Sequence, residues 1–158
     1  MSKKRALAGL LAALAVVTAV IVALVATSGD ALTVPSVDRR AVVDGRVEIA
    51  HSNTTNPAGA EEFEISYLLL PSAGMPADAV ALEVSRLKDK GWKVSREMGE
   101  SASLLSPTGK TLATIVRAEV FLRNPADDRT IEPVLQKMGD KLRENPGAVV
   151  IALERVSR

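Results

Sequence analysis

Residues 6–26 form an apolar segment that no charge interrupts. The segment has 21 residues and contains only Ala, Leu, Val, Ile, Gly and one Thr. An α-helix of that length is about 31 Å long, which matches the hydrocarbon core of a bilayer at about 30 Å. The sequence therefore predicts that this segment is a transmembrane helix in contact with the lipid bilayer.

The charges on either side of this segment predict its orientation. Lys3, Lys4 and Arg5 precede it, and the first charge after it is Asp30. Because cytoplasmic flanks of membrane spans carry an excess of basic residues, we expect residues 1–5 to be a cytoplasmic tail. The remainder of the chain is then extracytoplasmic, and the segment acts as a single-pass signal anchor in the cell membrane.

A cleaved secretory signal is the alternative interpretation of the same segment. Small residues at 26–28 would present a processing site, and the protein would then be secreted after cleavage near Ser28. Apolar cores of signal peptides are about 7–15 residues long, so the greater length here favours a retained anchor. Ala15, Ala19 and Ala23 would let two such helices approach closely, which predicts at most a weak homodimer through the transmembrane helix.

Composition excludes several classes of function. The chain has no cysteine and one histidine, so disulfides, thiolate metal sites, a cysteine nucleophile and a two-histidine metal site within one chain are excluded. Beyond the three N-terminal cations, 17 basic residues stand against 19 acidic ones, a formal charge of −2, without a dense cationic run. Nucleic acid is therefore not expected as a partner.

The extracytoplasmic part divides into a tether and one domain. Residues 27–40 mix Ser, Gly, Asp, Pro and two arginines without periodicity, which is typical of an extended tether. Within the domain at 41–158, Asp44-Gly45 lies between short β-branched stretches and predicts a hairpin over 41–50. Asn, Pro and Gly residues in 51–60 favour a loop.

Hydrophobic periodicity predicts the elements of the core at 62–158. Period-two patterns indicate strands over 62–70, 92–98, 102–105 and 111–122, and a continuous apolar run indicates a central strand over 149–153. Period-3.6 patterns indicate helices over 76–90 and 130–144. This order resembles the ferredoxin-like fold, a split β-α-β arrangement. The resemblance implies an α+β domain with an antiparallel sheet and both helices on one face. No family-specific motif accompanies it.

His51 is the one side chain whose ordinary pKa lies near neutrality, and it follows Glu48 and Asp44 closely in sequence. A general base is conceivable there, but neither a nucleophile motif nor a metal-ligand cluster accompanies it, so a solvated loop histidine is favoured. The isolated glycines form no phosphate-binding loop. We therefore predict no catalytic residue, no cofactor site and no metal ligand.

One sheet face is a candidate interaction surface. In the predicted strand over 111–122, Ile115, Arg117, Glu119 and Phe121 alternate with an apolar series and should share the face opposite the helices. An aromatic residue beside an arginine is a composition enriched in interface hot spots. In the alternative arrangement, the N-terminal hairpin packs over this face.

These observations predict a non-catalytic protein-interaction or envelope-associated module with an unknown protein partner, displayed on a single-pass membrane anchor. The alternative is a secreted or envelope-located small hydrolase or ligand-binding protein that uses the His51 region.

The topology can be tested by cell fractionation. We expect the full-length protein in the membrane pellet, where it should resist extraction by salt and by carbonate because residues 6–26 span the bilayer. Recovery of a soluble extracytoplasmic form that begins near Gly29 would show cleavage instead.

Overall fold

The computed structural model describes residues 33–56, 63–72, 76–123 and 131–156. The predicted membrane anchor at 6–26 lies outside these residues, so the topology stays a prediction. Within the described ranges, no helix combines the length and the apolar character that a membrane crossing requires.

Over the described residues, the protein is a mixed α+β structure with a six-stranded antiparallel sheet and four helices. The chain order is α1 (Ser36–Val43), β1 (Ala50–Asn56), β2 (Phe63–Leu70), a 3₁₀ turn (Pro76–Asp78), α2 (Ala79–Asp89), β3 (Lys93–Met98), β4 (Ser101–Leu105), β5 (Thr111–Arg117), α3 (Ala118–Arg123), α4 (Glu132–Glu144) and β6 (Val149–Arg155). The predicted strands near 62–70, 92–98, 102–105 and 149–153 and both predicted helices are therefore confirmed.

The strand order is β1-β2-β6-β5-β4-β3, and every neighbouring pair is antiparallel. In β2, Leu68 and Leu70 pack on one face of the sheet, and Tyr67 and Leu69 pack on the other. Strand β6 alternates in the same way between the two faces. These two neighbouring strands carry consecutive apolar residues because both of their faces are buried.

Helices cover both faces of the sheet. Helices α1 and α2 pack in one core with the first face, through buried residues that include Val42, Val84 and Leu87. Helices α3 and α4 pack in a second core with the other face, through buried residues that include Val134 and Leu142. The expectation of two helices on one face is therefore wrong. The doubly buried strands β2 and β6 account for the difference, because each of their faces needs a cover.

The segment expected as a hairpin over 41–50 contains the end of a helix, and this helix begins at Ser36, within the segment expected as an extended tether over 27–40. Helix α1 ends at Val43, and Asp44 and Gly45 follow with φ of 53° and 74°. The Asp44 N–H donates to the carbonyl of Arg40 at 2.9 Å. Asp-Gly suits left-handed conformations, which a type I′ hairpin turn and a helix C-terminus both use, so the dipeptide alone did not distinguish them.

Two other expectations at strand ends are wrong. Part of the loop expected over 51–60 is strand β1, a polar edge strand that pairs with β2 from Ala50–Leu69 to Asn56–Phe63. The strand expected over 111–122 stops at Arg117, where α3 begins. Within α3, three residues pack in the second core at the helical spacing i, i+3 and i+4, namely Ala118, Phe121 and Leu122. Over so few residues, a period-two strand pattern coincides with this spacing at i and i+4.

A buried carboxylate connects α1 to α2. Glu83 on α2 is 5% exposed and lies between two guanidinium groups. Arg46 donates from Nη1 and Nη2 to the two carboxylate oxygens at 3.0 and 2.9 Å. Arg86 donates from Nε to the same two oxygens at 3.2 Å each, with a further short bond from Nη2. Two cations therefore offset the cost of burying this anion.

The same two arginines cap the C-terminus of α1. Arg86 donates to the carbonyl of Val42 at 2.6 Å and to that of Ala41 at 3.2 Å. Arg46 donates to Val42 at 2.8 Å and to Val43 at 3.3 Å. The last carbonyls of a helix have no partners within the helix, so these bonds satisfy the end of α1 while joining it to α2.

The N-terminal half of α1 is fixed by a second buried carboxylate. Asp38 is 2% exposed, and its Oδ2 accepts hydrogen bonds from Thr111 Oγ1 at 2.6 Å and Thr108 Oγ1 at 2.8 Å. Both hydroxyls belong to the β4–β5 hairpin. Helix α1 is thus held at both ends, with Asp38 beside the β4–β5 turn and the last carbonyls beside α2.

Asp44 adds an exposed ion pair to this network. Lys90 Nζ donates to its Oδ1 at 2.6 Å, and this bond is the main cause that holds the pKa of the carboxyl below its ordinary value of 3.8. Burial opposes the change, and the charges of Lys90 and Arg86 add to it. A lowered folded-state pKa means that this pair stabilises the fold above about pH 3.8, and the contribution is lost as the pH falls through the lowered pKa.

We expect Glu83→Ala to lower the free energy of unfolding by about 2–4 kcal/mol, because it leaves two partly buried guanidiniums without their anion. Asp89→Ala, at an exposed position of the same helix, is the matched control and should change it by less than about 0.5 kcal/mol. Urea denaturation measures both variants. Equal midpoints would contradict the role assigned to Glu83.

Candidate interaction groove

An open groove of about 390 Å³ lies between α2 and the β3–β4 hairpin. Its first wall is a stripe of small apolar side chains with the helical spacing i, i+3, i+4 and i+7, namely Ala77, Val80, Ala81 and Val84. Ala102 of β4, only 4% exposed, also lines it. Small side chains on this wall leave room for an occupant against an apolar surface.

The second wall is the tight turn between β3 and β4. Gly99 has a φ of +53°, a left-handed conformation that favours glycine, and a Cβ built there would meet no atom within 4 Å. Two exposed carboxylates, Glu97 and Glu100, stand on either side of this glycine and line the groove. The rim opposite the apolar wall is therefore acidic and open to solvent.

A cluster of four charges lies at the Arg117 end of the groove. The Arg117 side chain is 18% exposed and donates from Nη2 to Glu100 Oε1 at 2.6 Å. Its Nη1 lies 2.7 Å from Glu119 Oε1. Arg123, one helical turn after Glu119, approaches Glu100 at 3.6 Å and Glu119 at 4.0 Å. Two acids and two bases neutralise each other in this cluster.

Glu97 is the remaining charged side chain of the groove. In the described part of the chain, its carboxylate makes no hydrogen bond or ion pair. Among the described residues, the groove and the four-charge cluster together thus carry a formal charge of −1, located at Glu97. An unpaired exposed carboxylate facing an apolar wall is an arrangement that a cationic, partly apolar group would complement.

The four residues expected to share one face are only partly brought together. Arg117 and Glu119 form an ion pair, and Arg117 lines the groove. Ile115 is fully buried in the core that contains α2. Phe121 packs in the opposite core, with its ring centroid 5.9 Å from that of Tyr67. The end of β5 at Arg117 separates these residues, because α3 no longer alternates between sheet faces.

His51 lies on the edge strand β1, and its side chain is 52% exposed. Its Nδ1 is 3.4 Å from Glu48 Oε2, and Glu48 also accepts a hydrogen bond from Arg39 at 3.0 Å. Asp44, the other carboxylate considered for this region, pairs with Lys90 instead. His51 does not line the groove. Within the described ranges, the structure shows no group of three or more side chains placed to hold a metal ion.

Sequence reasoning did not identify the groove. The periodicity over 76–90 predicts a helix with an apolar face, but it does not predict which part of that face stays uncovered. The available signal was the pair of alanines at 77 and 81 on the apolar stripe. Small residues at these positions leave space that larger residues would fill, but only the position of the β3–β4 hairpin shows where that space lies.

Comparison of the chain with protein-family models, with curated protein sequences and with solved structures found no significant match. The function proposed below therefore depends on the sequence and on the geometry of the described residues.

We expect Glu97→Gln to change the free energy of unfolding by less than about 0.5 kcal/mol, because its side chain is exposed and unpaired in the described structure. Ile115→Ala, which empties a fully buried position on β5 of the same sheet, should cost about 2–5 kcal/mol. Urea denaturation compares the two. A large loss for Glu97→Gln would mean that Glu97 supports the fold and does not stand free in the groove.

Proposed function

We propose that the protein is a single-pass membrane-anchored protein that displays a small extracytoplasmic α+β domain as a non-catalytic protein-interaction or envelope-associated module. The observation that carries this proposal is the groove beside α2, where a wall of small apolar side chains faces an acidic, solvent-open rim. Residues 6–26 supply the anchor in the cell membrane, with residues 1–5 in the cytoplasm. Secretion after cleavage near Ser28 is the alternative localisation.

The position of α1 supports an interaction role for the groove. Asp38 attaches α1 beside the β4–β5 turn, whereas the groove lies beside the β3–β4 turn at the other end of β4. A five-residue strand is about 17 Å long. A partner that occupies the groove therefore does not compete for space with the part of α1 that Asp38 holds beside the β4–β5 turn.

The chemistry of the groove also favours contact over catalysis. Arg117, the one cation that lines the groove in the described part of the chain, is engaged by Glu100 and Glu119, so it is held as part of the surface. The wall of alanines and valines offers neither nucleophile nor proton donor, and the hydroxyl of Ser101, which also lines the groove, donates to the carbonyl of Met98 at 3.3 Å. Such a surface binds by apolar contact and by charge at its rim.

A small hydrolase or ligand-binding protein that uses the His51 region is the second candidate. Its supporting observation is the contact between His51 and Glu48 at 3.4 Å, in which a carboxylate lies beside an imidazole. The half-exposed position of His51 on an edge strand gives this candidate less support than the groove gives the first.

Site-specific photo-crosslinking tests the interaction role. A benzophenone side chain placed at Ala81 in the full-length protein, at native abundance, should yield a discrete crosslinked product in the membrane fraction. The same side chain at Asp89, near the other end of α2, is the matched control and should not. The interaction role would be contradicted if neither position nor a scan of the remaining described surface gave a product. Loss of the cellular phenotype in His51→Ala protein would favour the second candidate.

A further inference from the structure

We propose that the groove binds an extended segment of a partner protein in which a lysine or arginine lies next to aliphatic residues. This inference rests on the proposed interaction function and specifies the chemistry of the partner. It is carried by the placement of charge and apolar surface on α2 and β3.

The charge of the groove selects a cationic partner. Glu97 is exposed and has no side-chain partner among the described residues, whereas Arg117 is neutralised by Glu100 and Glu119. A basic side chain would pair with Glu97 without breaking an existing ion pair. An acidic side chain would meet Glu97 unfavourably and would have to displace a carboxylate from Arg117.

A β-bulge places an apolar residue on the same side as Glu97. The register of β3 against β4 shifts between Val94 and Arg96, so that Val94 is opposite Leu104 and Glu97 is opposite Ala102. Leu104 and Ala102 both belong to the core under α2. Without the bulge, residues 94 and 97 would lie on opposite faces of the sheet, because strand side chains alternate. Val94, left 39% exposed, thus extends the apolar surface along the strand from Glu97.

The shape of the site favours a polypeptide segment over a small molecule. A volume of about 390 Å³ accommodates a few residues, but the groove is open to solvent. Small-molecule sites usually enclose most of their ligand. An extended segment instead continues beyond the groove and contacts the flanking surface, such as the exposed side chain of Val94.

The edge of β3 does not favour pairing with a partner strand. Its bulge interrupts the regular ladder, and Lys93, Arg96 and Glu97 place charges along the strand. Bulges and charged side chains are features by which edge strands resist strand addition. A partner segment is therefore expected to lie over the face between α2 and β3 without extending the sheet.

Peptide selection tests this inference without assuming a partner. A displayed library of random twelve-residue peptides is selected on the full-length protein in detergent. The selected sequences should be enriched in Lys or Arg next to Val, Leu, Ile or Ala. Replacing Glu97 by Lys should weaken binding of these peptides about fivefold to tenfold, because one exposed ion pair becomes a repulsion. Asp89→Lys, an equal change of charge on α2, should leave their binding unchanged.

Several results would overturn the inference. The selection could enrich no peptide sequences, or it could enrich acidic or uncharged ones. The selected peptides could bind the Glu97→Lys protein as tightly as the original protein. Spermidine at equal concentration could displace the peptides from the groove. The last result would indicate a site for small polycations. Crosslinking from Ala81 to a partner, together with any of these results, would leave the interaction function standing and reject only the cationic segment.

Discussion

The carboxylate of Glu83, held between Arg46 and Arg86, is the interaction on which the arrangement of the helices depends. Burying the Glu83 carboxylate and partly burying two guanidiniums has a desolvation cost, which an ion network offsets only when its geometry satisfies every member. Here the guanidinium groups that neutralise Glu83 also donate to the last carbonyls of α1. The network thus neutralises the buried Glu83 carboxylate and also satisfies the carbonyls at the end of α1. Its effect is to fix α1 in a single position on α2.

The same network sets the rotation of α2 and, through it, the form of the groove. Glu83 and Val84 are consecutive residues, so their side chains point about 100° apart around the helix axis. Because Glu83 faces Arg46 at the end of α1, Val84 and Val80 face the sheet and line the groove. The apolar side chains of α2 therefore face the groove because the ion network holds the helix in this rotation about its axis.

Much of the secondary structure was predictable from periodicity, because β2, α2, α4 and β6 are long and regular in pattern. The errors lie where one local signal has two physical meanings. Asp44-Gly45 suits both a hairpin turn and a helix end, and the alternation around Arg117 continued into a short helix with an overlapping spacing. The choice of sheet face for each helix depends on contacts between distant residues, which local pattern does not contain. The candidate groove was less predictable still, since the bulge at Val94 and the pairing of Arg117 with Glu119 exist only in the folded chain.

The Glu83 network makes α1 an integral part of the domain. Native-state amide hydrogen exchange on the full-length protein tests it most directly, because local opening exchanges at a lower free energy than global unfolding. The Asp44 amide, which donates to Arg40 at the end of α1, should show the same opening free energy as the Ile151 amide in β6. Exchange of the Asp44 amide through a low-energy opening, while Ile151 stays protected, would contradict this account.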